Sequence, residues 1–73
     1  MDTKLLKMLR EDLIGELEAI NQYQEHIDES NNEEAKHVWE HIMNDEKEHV
    51  AELIKFIRTV DSIQEEKFEK ESL

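Results

Sequence analysis

Residues 26–40 read HIDESNNEEAKHVWE, and this stretch decides the fold, because its centre holds the chain's only turn-like cluster, Ser30-Asn31-Asn32. Serine and asparagine favour turns, since their short polar side chains hydrogen-bond to nearby backbone. Apolar residues continue at helical spacing on both sides of the cluster. We therefore predict one helix over about residues 3–29 and a second over about residues 32–60. A connection this short makes the two helices an antiparallel hairpin.

The ends of the predicted helices carry two matches to the capping box, in which a hydroxyl residue is followed three positions later by glutamate. Ser30 and Glu33 form the first match and predict Ser30 as the cap of the second helix. Ser62 and Glu65 form the second match and predict a short third helix over about residues 62–71. This tail is rich in charge, so we expect it to be helical but loosely held.

The composition leaves only the all-α class for this chain of 73 residues, which we predict to be a single domain over residues 1–73. Proline is absent and glycine occurs once, so strands joined by hairpins would lack turn residues. A domain this small buries too little apolar surface to be stable without an additional stabilising element, such as a disulfide, a metal ion or a second chain. Because there is no cysteine, that element has to be a metal held by other ligands or a second chain.

The charge balance restricts the partners of the chain. Twenty acidic residues against nine basic ones give a net charge of −11, which disfavours nucleic acid and favours cations. There is no apolar run of about eighteen residues, so no membrane span is expected. The first ten residues mix basic and apolar types and do not read as a signal peptide, so we expect a cytoplasmic protein.

Apolar residues at spacings of three and four form one stripe along each helix. Three polar residues, Glu16, Glu46 and His49, interrupt these stripes, and a buried carboxylate without a partner is too costly to occur there by accident. Glu16 and Glu46 lie fifteen residues before and after Asn31, and His49 lies one turn further, so the hairpin places all three at one level. The apolar members of the stripes are Leu6, Leu9, Leu13, Ile20, Tyr23 and Ile27, then Ala35, Trp39, Ile42, Leu53, Phe56 and Val60.

Two such hairpins make a four-helix bundle, so we predict that the chain dimerises into one. The centre of that bundle holds a glutamate from each first helix and a Glu-x-x-His pair from each second helix, which is the ligand set of ferritin-like di-iron carboxylate proteins. Four carboxylates and two neutral imidazoles carry a charge of about −4, which two divalent ions balance. Carboxylate oxygen and imidazole nitrogen suit iron, manganese or zinc.

Two blocks of sequence carry a family resemblance. Residues 16–26, ELEAINQYQEH, resemble the first-helix motif of the encapsulated ferritins, and residues 45–49, DEKEH, resemble their second-helix motif. The spacing between the blocks fits that family without a gap, and the resemblance covers about residues 9–60. It implies a di-iron ferroxidase centre across a dimer interface, in dimers that assemble into a decameric ring. It further implies that Fe(II) is oxidised by oxygen inside an encapsulin shell, which stores the mineral.

The resemblance also implies roles for individual residues at the centre. Glu16, Glu46 and His49 match the ferroxidase ligands. Tyr23 matches a tyrosine beside the centre, and it lies one heptad after Glu16 on the same face. The residues alone leave two interpretations of Tyr23 open, a hydrogen-bond donor to a metal ligand or an ordinary core aromatic.

Two outer metal sites are implied by the resemblance as well. Glu18 matches one glutamate of a metal-access site, but the companion of that glutamate falls on Gly15, so the access site is incomplete here. His41, Asp45 and Glu48 match a peripheral metal site between subunits, with Asp45 in place of a glutamate.

The end of the chain departs from the family pattern. Many encapsulated ferritins carry an apolar, glycine-rich tag that docks into the shell, whereas residues 68–73 read FEKESL. We expect one of three explanations: the chain is trimmed, it is fused to the shell protein in nature, or it is not encapsulated.

Other interpretations stay open at this point. The polar layer could bind zinc or manganese for stability without turnover, or it could set the register of a metal-free homo-oligomer. Glu34 and His37 repeat the Glu-x-x-His spacing but lie near the turn, where we expect a solvated surface. His26 is also expected on the outer surface, and Trp39 in the core.

Overall fold

Three helices and no strands make up the protein, as a computed structural model describing all 73 residues shows. Helix α1 spans Thr3–Glu29, helix α2 spans Glu33–Val60 and helix α3 spans Ser62–Lys70. The predicted all-α class is confirmed. The chain measures 47 × 27 × 15 Å, so it is one layer of helices thick. None of the three helices combines the length and the apolar character that crossing a bilayer requires.

The contact between α1 and α2 forms a thin core. Only Leu6, Met43 and Ile57 among the apolar residues are buried, and the remaining residues of this contact are half-buried. The stripe predicted on α1 faces α2, but the stripe predicted on α2 is partly wrong. Phe56 is 49% exposed, whereas its neighbour Ile57 is 5% exposed and occupies the core. The side of α2 that packs against α1 is therefore shifted toward Met43 and Ile57, although the other five apolar members of the predicted stripe are half-buried.

The turn between α1 and α2 is capped by a residue other than the predicted one. Asn32 is the N-cap of α2, and its Oδ1 accepts a hydrogen bond from the backbone N–H of Ala35 at 3.0 Å. The hydroxyl of Ser30, which we expected to cap α2, instead accepts from the N–H of Asn32 at 3.0 Å. Both serine and asparagine can cap a helix, so the composition of the turn left the capping residue ambiguous.

The corner between α2 and α3 is organised by Asp61, one of four buried residues in the chain. Its Oδ1 accepts hydrogen bonds from the backbone N–H groups of Ile63 at 3.1 Å and Gln64 at 3.0 Å. Its Oδ2 accepts from Arg10 on α1 at 2.8 Å. Asp61, and not the predicted Ser62, is therefore the cap of α3, and it joins all three helices.

Replacing Asp61 by alanine is expected to destabilise the protein by about 2 kcal/mol, because the change removes a helix cap and leaves the Arg10 guanidinium without its carboxylate. Asp61→Asn keeps the capping oxygen and is expected to cost about half as much, since Arg10 is half exposed and its ion pair is screened. Urea unfolding followed by circular dichroism measures both changes. Equal decreases in the free energy of unfolding for the two variants would show that the capping oxygen of Asp61 adds no stability beyond its ion pair with Arg10.

Helix α3 is held against α2 by Arg58, contrary to the loosely held tail that we expected. The guanidinium of Arg58 donates two hydrogen bonds to the Glu65 carboxylate, at 2.6 and 2.9 Å. The same group lies over the ring of Phe68, 4.5 Å from its centroid. The guanidinium therefore makes two favourable interactions at once, one with a carboxylate and one with the face of an aromatic ring.

Acid is expected to release α3 from α2. The hydrogen bonds from Arg58 hold the pKa of Glu65 below its ordinary value of 4.5. The stabilisation from this pair is therefore complete above pH 4.5 and is lost as the pH falls through the lowered pKa. The ring resonances of Phe68 should shift toward random-coil values in NMR spectra over that range. Glu65→Gln should remove the response, whereas Glu66→Gln, an exposed neighbour, should leave it unchanged.

Candidate metal centre

The antiparallel hairpin brings the three predicted ligands to one level. One ligand atom from each of Glu16, Glu46 and His49 can be chosen so that all three lie within 4.8 Å of one another. The Nδ1 atom of His49 lies 3.4 Å from Oε2 of Glu16 and 3.6 Å from Oε2 of Glu46. Glu46 and His49 share a face of α2 because residues three apart are neighbours on a helix. Glu16 meets them from α1.

The two carboxylates are only partly exposed and are not neutralised by a fixed cation. The side chains of Glu16 and Glu46 are 25% and 20% exposed, and the imidazole of His49 is 48% exposed. His49 is the only basic residue within 4.0 Å of either carboxylate, since no lysine or arginine forms an ion pair with them. Two half-buried carboxylates without such a partner favour the binding of a cation.

A cleft of about 530 Å³ opens beside the three ligands. Its wall is predominantly acidic and contains no lysine or arginine, and the residues that line it are Glu11, Asp12, Gly15, Glu16, Glu46, His49, Glu52 and Leu53. Glu11 and Asp12 are not among the site residues predicted from the sequence. Their positions four to five residues before Glu16, close to one helical turn, were the signal that could have found them.

Exposed apolar side chains lie above and below the cleft on the same side of the hairpin. Phe56 is seven residues after His49 and Val38 is eleven residues before it, spacings that return a helix to one side. Met8 is seven residues before Gly15, which lines the cleft. All three apolar side chains are exposed. The candidate centre therefore sits between apolar surfaces that the single chain leaves uncovered.

The three residues can supply oxygen and nitrogen donors to a metal ion. Three ligands leave coordination positions open on iron, manganese or zinc, which take four to six. Carboxylate oxygen and imidazole nitrogen are donors that all three of these metals accept, so the set fits the predicted chemistry without selecting one metal.

Tyr23 and Glu18 lie outside the group of converging ligand atoms. Tyr23 is half-buried, and its ring packs edge-on against the ring of His26 with centroids 6.4 Å apart. Glu18 is exposed and makes no ion pair or side-chain hydrogen bond. A single chain therefore brings neither residue to the ligands.

Two of the three residues of the predicted peripheral site are in contact. The Nε2 atom of His41 lies 3.7 Å from Oδ2 of Asp45, and both side chains are exposed. Glu48 is exposed as well, and it does not join them in a group of converging ligand atoms. Within one chain these residues form an exposed pair and a separate carboxylate.

The prediction that His26 is a surface residue is wrong. His26 is half-buried, its ring lies 5.2 Å from that of Trp39, and its Nδ1 atom is buried without a hydrogen-bond partner. The signal was present in the sequence, since His26 follows Tyr23 by three residues and so shares its side of α1. His37, in contrast, is exposed as expected.

Comparisons with family models and with individual proteins both return matches that cover most of this chain. A family model described as EncFtn-like matches residues 1–72. The encapsulin nanocompartment cargo protein EncC of Myxococcus xanthus is 42% identical over 60 residues, which cover 82% of this chain and 46% of that protein. The cargo protein EncB of the same organism is 40% identical over 58 residues, covering 80% of this chain and 37% of EncB. The chain thus spans less than half the length of these relatives, and no solved structure matches it.

Proposed function

This chain belongs to the EncFtn-like family, and we propose that it is a ferroxidase that oxidises Fe(II) with oxygen at a two-iron site between two copies of the chain. The observation that carries the proposal is the convergence of Glu16, Glu46 and His49 within 4.8 Å. The family membership agrees with the resemblance to encapsulated ferritins, so that resemblance is confirmed.

The incomplete ligand set supports a centre shared by two copies. One chain offers three ligand atoms and a cleft open to solvent, whereas two ions need more ligands than that. The exposed apolar residues Met8, Val38 and Phe56 lie on the side of the cleft, where a second copy would bury them. A symmetric dimer would thereby supply both the missing ligands and the apolar burial that the single chain lacks.

Each group at the proposed centre has a chemical role. Two Fe(II) substrate ions supply one electron each, which reduce one oxygen molecule to the level of hydrogen peroxide with two protons. The carboxylates of Glu16 and Glu46 favour the ferric product, because their negative charge stabilises the ion of higher charge. The imidazole of His49 adds a neutral donor that leaves the charge of the site unchanged. In this proposal Tyr23 lies beside the centre once a second copy is present, where its hydroxyl can donate a hydrogen bond to a metal ligand.

The proposed partner is an encapsulin shell, because the two curated relatives are named as encapsulin nanocompartment cargo proteins. In this proposal the chain works inside such a compartment in the cytoplasm, as a ring of dimers that is decameric as in its family. A layer of helices 15 Å thick encloses no storage volume of its own. The mineral would therefore collect in the shell.

Fe(II) is expected to shift the chain from small species to larger assemblies while oxygen is consumed, because ligands from two chains bind one pair of ions. Light scattering and an oxygen electrode, applied to the same anaerobically loaded sample, measure both effects. If the assembly grew in mass with both Zn(II) and Fe(II) but consumed no oxygen, the result would support a bundle that binds metal for stability without oxidising it. A monomer that persists with either metal would rule out the shared centre.

A further inference from the structure

The ring of His26 bridges α1 and α2. It packs edge-on against the ring of Tyr23 on α1, with centroids 6.4 Å apart and an angle of 84° between the ring planes. It also packs tilted against the ring of Trp39 on α2, with centroids 5.2 Å apart. Both separations lie in the range at which aromatic rings attract each other. His26 is therefore held by α2 while it contacts Tyr23 on its own helix.

A hydrogen bond does not account for the imidazole at this position. The Nδ1 atom of His26 is buried and has no hydrogen-bond partner, which is unfavourable for a polar atom. A pocket of about 250 Å³ adjoins the ring, and the residues that line it are His26, Glu29, Ser30 and Trp39. The contribution of His26 within the chain therefore comes from the contacts of its ring.

The tilt of side chains on a helix places His26 behind Tyr23. Each Cα–Cβ bond tilts toward the N-terminus of the helix, so a long side chain covers the turn before its own residue. Tyr23 therefore leans toward the level of Glu16, seven residues earlier on the same side of α1. His26, three residues after Tyr23, leans toward Tyr23. The His26 ring thereby limits how far the Tyr23 ring can turn away from the metal ligands.

We propose that His26 is a positioning residue for iron oxidation, because its ring holds Tyr23 in the orientation that directs the tyrosine hydroxyl toward a metal ligand. The inference rests on the proposed function, which puts Tyr23 beside the shared centre. His26 is not one of the converging ligands, so it acts through Tyr23 and does not touch the metal. Trp39 completes the arrangement by holding His26 from α2.

Two substitutions of His26 separate its ring from its nitrogen atoms. His26→Phe keeps an aromatic ring and removes the buried Nδ1, and the adjoining pocket leaves room for the larger ring. His26→Leu is apolar as well, but it presents no flat ring to Tyr23. His37→Leu is the matched control, because His37 is an exposed histidine outside this contact. Circular dichroism and light scattering check the helicity and the assembly of each variant.

The first measurement is made without metal and so does not depend on the proposed function. Tyr23 is the only tyrosine, so isotope-labelled tyrosine gives the signals of one ring, and their NMR relaxation reports how freely that ring moves. The Tyr23 ring is expected to become more mobile in His26→Leu. It should stay as rigid as in the unchanged chain in His26→Phe and in His37→Leu.

The second measurement is a double-mutant cycle on the rate of Fe(II) oxidation. Tyr23→Phe and His26→Leu are each expected to lower kcat about tenfold with KM nearly unchanged. Because His26 acts through Tyr23, the variant with both changes should be no slower than Tyr23→Phe alone, whereas independent effects would multiply to about a hundredfold. His26→Phe and His37→Leu should oxidise iron at nearly the rate of the unchanged chain.

Four results would overturn the inference. They are a Tyr23 ring that stays rigid in His26→Leu, losses that multiply in the double variant, a loss in His26→Phe as large as in His26→Leu, and a loss of folding or assembly in His26→Leu, which would make the role of His26 structural. If the unchanged chain oxidised no iron, or Tyr23→Phe oxidised it at the full rate, the role of the centre or of Tyr23 in the proposed function would fail. The relaxation measurement would then still show whether His26 holds Tyr23, so the two failures are distinguishable.

Discussion

Glu46→Ala is expected to abolish iron oxidation and to weaken metal binding by about a hundredfold or more, because it removes one of the two carboxylates among the three converging ligands. Glu46 is the least exposed of the three ligands, and its carboxylate lies 3.6 Å from Nδ1 of His49 on the same helix. In a centre shared by two copies, each substitution removes two carboxylates. Isothermal titration with Co(II) measures the binding, and an oxygen electrode measures the oxidation.

The matched control for Glu46→Ala is His37→Ala. His37 is on the same helix and belongs to a second Glu-x-x-His spacing, but it is exposed and lies outside the ligand group. We expect this variant to bind metal and to oxidise iron like the unchanged chain, whereas His49→Ala should lose most of its metal affinity. Equal losses in His37→Ala and His49→Ala would mean that α2 presents a different side to the metal.

The second large effect is expected from Glu16→Gln, which should tighten the metal-free dimer about tenfold while eliminating oxidation. Glu16 and Glu46 have no lysine or arginine partner within 4.0 Å, and the chain carries a net charge of −11. Two copies that face each other would place four such carboxylates at one level, so removing two of the charges relieves repulsion. Glutamine keeps the shape of the side chain but is a poor ligand for iron.

Dimer dissociation by analytical ultracentrifugation and oxygen consumption, measured on the same preparation of Glu16→Gln, test this prediction. A functional site gives opposite responses of stability and activity. If the three polar residues only set the register of the helices, stability would fall on substitution. A weaker metal-free dimer with retained turnover would exclude Glu16 from the centre.

The meeting of Glu16, Glu46 and His49 at one level could be predicted from the sequence because helical rise is constant. Equal distances from a short turn place two residues side by side in an antiparallel hairpin. The level at which two residues meet depends only on the position of the turn, and a shift of a residue or two in the caps changes it little. Asn32 in place of Ser30 as the cap of α2 therefore did not disturb it.

The side that α2 turns toward α1 could not be predicted in the same way. Helix α2 is apolar on two sides, one containing Met43 and Ile57 and the other containing Val38 and Phe56. A spacing pattern records which residues are apolar, and it does not record which apolar surface packs within the chain and which is left uncovered. The predicted stripe therefore included Phe56, which belongs to the uncovered surface, and left out Met43 and Ile57, which pack within the chain.

Long-range side-chain contacts also escaped the sequence. Asp61 binds Arg10 from a position 51 residues away, and no local pattern encodes that pairing. The capping preference of aspartate matches that of serine, so the neighbouring Ser62 was chosen in its place. The contact of His26 with Trp39 on α2 depends likewise on the relative rotation of the two helices, although the position of His26 three residues after Tyr23 already indicated that it faces α2.

The thin core has a consequence for how the protein behaves on dilution. Four of 73 residues are buried, so a chain without a partner has little to hold it folded, and in the proposed dimer folding and association would be one equilibrium. The melting temperature should then rise with protein concentration, and dilution should act on this chain as a denaturant acts on a larger domain. A newly made copy would remain open to proteases until it met another, which ties its lifetime to the rate of its own synthesis.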